Sequence, residues 1–379
     1  MTKSTHPKSV LLIITRQIGD VLLTTPLLHS MRMAWPTASI DVLLFDNTAG
    51  ILEGNTDYNH IIQTVAHPSF LEYWQLIKRI FRRYDIAVTT LAGDRPHQYA
   101  FLAAPKRFGI VPENYKHGFW KRWLCSDWVT LDNSHTHTVT QYNTLAACMG
   151  IATYHQVVSP YDDNANKKLD SLLNFDWHTQ ACIVIHPFPM WQYKRWSDQG
   201  WHSLLNAIVE SGKQVVITGG PADEERAYCE HLARNHPNNV ISLAGKTSFA
   251  VMATLLKSAA AFVGPDTVAT HLAAACGTPT LALFGPTNPV KWGPWPVDYN
   301  QSISPWINKV PMQSVGNVIL LQGLGECVPC HKAGCEDHNN SYSQCLNELP
   351  AIRVIHALKV LLDNAQINSR KIIPICASS

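Results

Sequence analysis

The chain has 379 residues and a mass of 42.3 kDa. This is about twice the usual single-domain length, so two domains are expected, each large enough to bury its own core. With 46% hydrophobic and 15% charged residues it is neither disordered nor collagen-like, and no apolar run approaches the roughly 18 residues that cross a bilayer. The opening apolar stretch, Val10–Ile14, is cut off by Thr15 and Arg16 and is too short for a signal-peptide core, so a cytoplasmic chain is expected.

Lys plus Arg is 30 and Asp plus Glu is 28, a net charge of +2 that selects no partner and makes no case for nucleic acid. The distribution is uneven. From Lys78 to Arg122 ten cations face three anions (Asp85, Asp94, Glu113), a local basic surface suited to an anionic partner or a membrane. Solvated helix faces explain any single residue of that run equally well.

In chain order, Val10–Ile14 reads as a buried strand, Thr15–Asp20 as a polar turn, and Val21–Met33 as a helix with Leu22, Leu23, Leu27 and Leu28 on one side. Ile40–Phe45 reads as the second strand, residues 71–83 as a helix, and Asp85–Thr90 as the third strand. The rhythm restarts with strands at 181–185, 214–218, 240–243, 260–264 and 280–284, alternating with helices at 201–211, 223–235, 249–258 and 267–276. Strand, helix, strand is what a parallel sheet with crossover helices requires. The expected fold class is α/β, two Rossmann-like domains facing across a cleft, joined near the polar stretch Tyr161–Lys168. The boundary is drawn as 1–175 and 176–379, the second domain adding a Cys-rich loop (327–345) and a C-terminal helix. Ligands of open α/β sheets bind at the carboxyl ends of the strands, so the loops there carry the search.

Three loops stand out. After Phe262–Gly264 comes Pro265-Asp266-Thr267-Val268, and the helix that starts there offers outward N–H groups and a positive dipole end to a phosphate. Thr267 and His271 lie four apart, share a face and can both donate to an anion. The bland alternative, Asp266 as an N-cap and His271 as a surface histidine, carries equal weight on spacing alone. The second loop, His186 to Trp196, carries Lys194 and Arg195 among aromatics, a cationic pair able to reach a diphosphate without a metal. Its alternative is aromatic packing with Lys194 snorkelling. The third is Arg16–Asp20, where Gly19 permits a tight turn and Asp20 is either a helix cap or a general base facing the cleft. No GxGxxG, GxxxxGK[ST], GxSxG or HExxH is present, which disfavours dinucleotide, P-loop, serine-hydrolase and zincin chemistry.

Six of the ten cysteines are scattered (Cys125, Cys148, Cys182, Cys229, Cys276, Cys376) and read as small buried hydrophobes in a reducing compartment. The other four, Cys327, Cys330, Cys335 and Cys345, have a spacing that suggests a structural tetrathiolate holding zinc or iron; unliganded thiols and disulfides are the alternatives.

Taken in order along the chain, these motifs resemble glycosyltransferase family 9, the bacterial ADP-heptose:lipopolysaccharide heptosyltransferases. The resemblance rests on Ile18-Gly19-Asp20, His186-Pro187 with Lys194-Arg195-Trp196, Gly219-Gly220-Pro221 with Glu224-Glu225, and Leu243–Thr247. It continues through Asp266-Thr267 to His271 and Phe284–Thr287. Thr218–Pro221 and Lys291–Trp295 look most similar to the subgroup that adds a branching heptose to the inner core. The resemblance implies a GT-B architecture and an inverting, metal-independent transfer from ADP-heptose to the lipopolysaccharide core, at the inner membrane face. By motif match Asp20 is the base; Lys194, Asp266, Thr267, Val268 and His271 contact the donor, with Thr247 and Ser248 beside the adenine. Arg95, after the third strand, is the expected acceptor-phosphate contact. Val268 stands where the family carries Gly, a departure that crowds the phosphate site. The rival readings are a transferase for another nucleotide sugar, a UDP-sugar epimerase, and a non-catalytic nucleotide-sugar-binding protein.

Overall fold

β1 (Ser9–Ile14) is almost wholly buried because its Val/Leu/Ile run is covered on both faces, as a central parallel strand requires. α1 (Ile18–Ala34) follows it, then β2 (Ser39–Phe45), β3 (His60–Thr64), α2 (Phe70–Ile80), β4 (Ile86–Thr89) and α3 (Asp94–Ala103). β5 (Lys106–Val111), α4 (Tyr115–Leu124), β6 (Asp127–Thr130) and α5 (Thr138–Cys148) complete the series. The computed structural model describes residues 6–371, with side chains to Ile367, so Cys376 lies outside the described residues. The strands form one six-stranded sheet in the order β3-β2-β1-β4-β5-β6, parallel throughout. The third strand in the chain is β3, not the strand at Asp85; its solvated His60 and Gln63 interrupt the apolar run that marks the others.

α1 carries Pro26 in its interior, where the missing N–H would orphan the carbonyl of Leu22. The Thr25 hydroxyl donates to that carbonyl at 2.7 Å, and Ser30 Oγ donates to the Pro26 carbonyl at 2.8 Å. The same two hydroxyls accept the amides of Val158 and Tyr154, pinning the following segment onto α1.

The second unit contains α6 (Ala165–Leu172), β7 (Ile183–Ile185), α7 (Asp198–Glu210), β8 (Val215–Ile217), α8 (Asp223–Ala233), β9 (Val240–Ser242) and α9 (Phe249–Ser258). Next come β10 (Ala261–Pro265), α10 (Val268–Ala275), β11 (Thr280–Phe284) and the short α11 (Pro289–Trp292). β12 (Met312–Val315), β13 (Val318–Gln322), the short α12 (Gln344–Asn347) and α13 (Ala351–Lys371) end it. Its seven-stranded sheet runs β12-β13-β11-β10-β7-β8-β9, parallel except for edge strand β12. The core fills between this sheet, α7 and α13, with Trp201, Leu204, Leu205, Val354 and Leu358 buried together.

The division falls at Tyr161/Asp162, with residues 298–304 grouped in the first unit. The boundary drawn at 175 is thus displaced: α6 buries Ala165 and Leu169 and packs on α9 of the second unit.

Candidate active site

In an open parallel sheet the crevice lies where neighbouring strands send their connections in opposite directions. In the first sheet that point is between β1 and β4, and the residues that follow those strands are Asp20 and Arg95. In the second it is between β7 and β10, and the residues that follow are Lys194 and Asp266 to His271. Asp20, Arg95, Lys194 and the Asp266–His271 segment thus follow the strands that flank these switch points.

Asp20 is the third residue of α1, whose N-cap is Gln17, so the capping alternative does not hold. The residue is buried, its side chain 7% exposed. Tyr142 Oη, from α5, donates to Asp20 Oδ1 at 3.2 Å, and Arg16 Nε lies 3.4 Å from Oδ2. Burial, then the Asp20 charge, pushes the Tyr142 phenol well above its usual range, so it remains a donor. The carboxylate is thus held by Tyr142 and Arg16 of its own unit, Arg16 being half in solvent. Tyr142 carries no sequence signal, being 122 residues from Asp20. Arg95 is exposed in the first turn of α3, one guanidinium nitrogen donating to the Ala66 carbonyl at 2.5 Å.

In the second unit Lys194 closes a short 3-10 turn after β7 and reaches Asp266 Oδ2 at 2.6 Å. His271 Nε2 lies 3.8 Å from the other oxygen. Burial alone would lift the Asp266 carboxyl, but the Lys194 ammonium and His271 hold it well below the usual carboxylate range. Asp266 is not the cap of α10. Thr267 is, and it makes no side-chain cap bond, so no hydroxyl competes for the first amides of the helix. His271 is 6% exposed and its Nδ1 has no hydrogen-bond partner, a buried polar atom beside a helix N-terminus. Val268 is the first residue of α10 with ordinary negative-φ backbone, so its β-branch fits without backbone strain.

The cationic pair expected of Lys194 and Arg195 is split. Arg195 stacks on Phe188 at 3.8 Å and pairs with Glu224 at 3.2 Å. The next residue, Trp196, is core: it packs edge-on against Trp201 and donates Nε1 to the Leu349 carbonyl at 2.9 Å. His186, at the end of β7, shares a hydrogen bond with Thr218 at 3.1 Å, and burial pulls its pKa down to about 4, so it is neutral. Ser248 caps α9 by accepting the Val251 amide at 3.3 Å, and Thr247 precedes it. Both follow β9, three strands from β10 and so roughly 14 Å across the sheet at ordinary strand spacing. The structure therefore gathers Lys194, Asp266, Thr267, Val268 and His271 and leaves Thr247 and Ser248 at the far side of the same sheet edge.

The Cys-rich loop buttresses this turn. Ser343 Oγ donates to the Tyr193 carbonyl at 2.5 Å, and the His331 amide donates to the Pro286 carbonyl at 2.8 Å. Gly334, at φ +83°, sits where a Cβ would lie 2.8 Å from Tyr193 Cβ. Cys327 and Cys335 are exposed, Cys330 and Cys345 half-buried, and none of the nine described cysteines is bridged. Burial, reinforced by the neighbouring thiols, pushes Cys345 up to about 12. Four sulfurs around one zinc lie about 3.8 Å apart. Among the described residues no three of these sulfurs come within 4.8 Å of one another, though Cys327, Cys330 and Cys335 all lie near enough to Cys345 to raise its thiol. The group whose ligand atoms do come that close is Asp198, His202 and His231, on α7 and α8. Of the scattered cysteines, Cys182 and Cys229 are buried, while Cys125, Cys148 and Cys276 are only half-buried.

Two parallel-sheet units, each with its polar loops at the switch point of its strands, make up the GT-B architecture. The model of glycosyltransferase family 9 (heptosyltransferase) matches residues 96–319. Lipopolysaccharide heptosyltransferase 3 of Escherichia coli K12 is 30% identical over 291 residues, 74% of this chain and 83% of that protein. Among solved structures, a family 9 glycosyltransferase from Veillonella parvula superposes with a TM-score of 0.73 at 18% identity, covering 94% of this chain and 97% of that one. The Escherichia coli ADP-heptose lipopolysaccharide heptosyltransferase II superposes at 0.70 and 20% identity, covering 94% and 99%. The chain belongs to glycosyltransferase family 9 and is a glycosyltransferase.

Proposed function

We propose that this enzyme transfers heptose from ADP-heptose to the lipopolysaccharide inner core by an inverting displacement that uses no metal ion. One observation carries the donor side: Lys194, Asp266 and His271 meet at the N-terminus of α10, with a buried imidazole nitrogen left unpartnered. As the sugar leaves, the nucleotide diphosphate gathers negative charge. The Lys194 ammonium and the first amides of α10 stabilise that charge in the place a metal would otherwise occupy. Asp266 keeps the ammonium in position, and His271 Nδ1 supplies a further contact. Thr247 and Ser248, at the far side of the same edge, take the adenine. In the first unit Asp20 accepts the proton of the attacking hydroxyl, a contribution of roughly a hundred- to ten-thousandfold. Arg16, the solvent-side partner, must move off the carboxylate for that step, while Tyr142 keeps its orientation. Arg95 contacts a phosphate of the acceptor. An acceptor built on a lipid places the enzyme at the cytoplasmic face of the inner membrane as a peripheral protein.

The test is incubation with ADP-heptose and a panel of truncated core oligosaccharides, read by mass spectrometry. A single heptose increment on one acceptor, lost in Asp20→Asn, is the expected result. No increment on any acceptor, or a fully active Asn variant, overturns the proposal or its base.

A further inference from the structure

The connections β3 to β4, β4 to β5 and β5 to β6 all advance the same way across the first sheet. Right-handed crossovers then place α2, α3 and α4 on one face, and α2 packs on α3 and α3 on α4. What these helices turn outward is unusual. α4 buries only Gly118 and Lys121, the lysine 2.7 Å from Asp94. It exposes Tyr115, Phe119 and Trp123, spaced at i, i+4 and i+8 on one stripe, by 70%, 56% and 81%. The helix is inside out for a protein in water, since an amphipathic helix normally buries its apolar stripe. Phe70, Leu71 and Trp74 of α2 and Phe101 of α3 extend the exposed apolar surface.

Cations lie among these rings. Lys78, Arg79, Arg82, Arg83, Lys106 and Lys116 are exposed. Most acids of the same stretch are engaged locally: Glu72 closes a capping box with Ser69, Asp85 accepts the amides of Lys8 and Ser9, and Asp94 pairs with Lys121, which leaves the exposed Glu113 against six exposed cations. Aromatic rings that project outward, flanked by an excess of Lys and Arg, match the headgroup zone of a bilayer, which takes rings at its boundary and attracts cations to its charge. We propose that the outer face of α2, α3 and α4 docks on a membrane rich in anionic phospholipid. This deepens the reading of a lipid-borne acceptor, and it is tested separately from it.

The full chain is sedimented with vesicles of phosphatidylcholine alone and of equimolar phosphatidylcholine and phosphatidylglycerol. Binding to the mixed vesicles, weakened by salt, is expected. Phe119→Ser/Trp123→Ser should lower partitioning at least tenfold, and each of Lys78→Gln, Arg79→Gln and Lys116→Gln about fivefold. All five side chains are exposed, so circular dichroism should be unchanged, as should transfer to a water-soluble truncated core. Wild-type chain that ignores mixed vesicles, or a double variant that binds them as well, overturns the proposal. So does light scattering that shows a dimer which Trp123→Ser dissolves, since a second copy would then cover the face. Vesicle binding without sugar transfer would count against the transferase reading alone.

Discussion

Removing the Lys194 ammonium tests whether it serves the donor or only the fold. The Lys194 and Asp266 side chains are 19% and 7% exposed and 2.6 Å apart, so Lys194→Met leaves a buried carboxylate with only His271 nearby. Breaking a buried pair from one side costs about 3–5 kcal/mol, and the lower end applies here because His271 remains and Lys194 is partly wet. The sign of the pH effect follows. In the wild type the Asp266 carboxyl is depressed, so its stabilisation is present above the ordinary carboxylate range and lost only in strong acid. In Lys194→Met, burial dominates and raises the carboxyl, the folded state takes up a proton before the unfolded chain does, and the deficit shrinks as pH falls from 7 toward 5. Urea midpoints at the two pH values read this directly. Titration calorimetry with ADP reads the second effect, a loss of roughly ten- to a hundredfold, the worth of a hydrogen bond between charged groups. Lys194→Met/Asp266→Asn separates the two, since it should recover most of the stability and none of the affinity. If the double variant binds ADP like the wild type, Lys194 neutralises Asp266 and does nothing for the donor, and the reasoning fails.

Asp20→Asn should cut kcat about a hundred- to ten-thousandfold while the Kd for ADP stays within about twofold; Tyr142→Phe, which removes the phenol's hydrogen bond to that carboxylate, should cost about tenfold in kcat by single-turnover assay. Gly334→Ala forces a Cβ into φ +83° against Tyr193 and Tyr342, so a loss of about 1–3 kcal/mol by thermal melting and weaker ADP binding are expected, with Ser343→Ala showing the binding defect in milder form. His186 is held neutral down to about pH 4, below its unfolded value, so its contribution is present above pH 6.5 and fades as pH falls. The wild type should lose about 2 kcal/mol through this group between pH 7 and 5, and His186→Gln should show that much less acid sensitivity in urea titrations.

The parts of this molecule that could be read from the chain are those where local chemistry dictates the outcome. Val10–Ile14 and Ile40–Phe45 announce central strands because their apolar runs need cover on both faces. β5 and β6 open with Lys106-Arg107 and Asp127-Trp128, and β3 exposes His60, so these strands lack that signal and take their place from pairing partners distant in sequence. Periodicity shows that Tyr115, Phe119 and Trp123 share a stripe, but not which way it faces. That direction follows from Lys121 finding Asp94, a contact between separate helices. The same holds at the crevices. Spacing placed Lys194 and Asp266 at neighbouring strand ends, and the strand order made them partners; it could not show that Arg195 would turn to Phe188 and Glu224. Cysteine spacing brings four thiols to one loop, but spacing could not show that the loop is also tied by backbone and hydroxyl bonds to Tyr193 and Pro286. Asp20 is the sharpest case. A base and a cap look alike in sequence, and neither reading contained Tyr142, whose hydroxyl arrives from α5 and makes this carboxylate an oriented group rather than a solvated one. If Asp20 is the base, its reactivity depends on Arg16 letting go. An Arg16→Lys variant, shorter in reach and without the Nε contact, should then raise the rate of a single turnover rather than lower it.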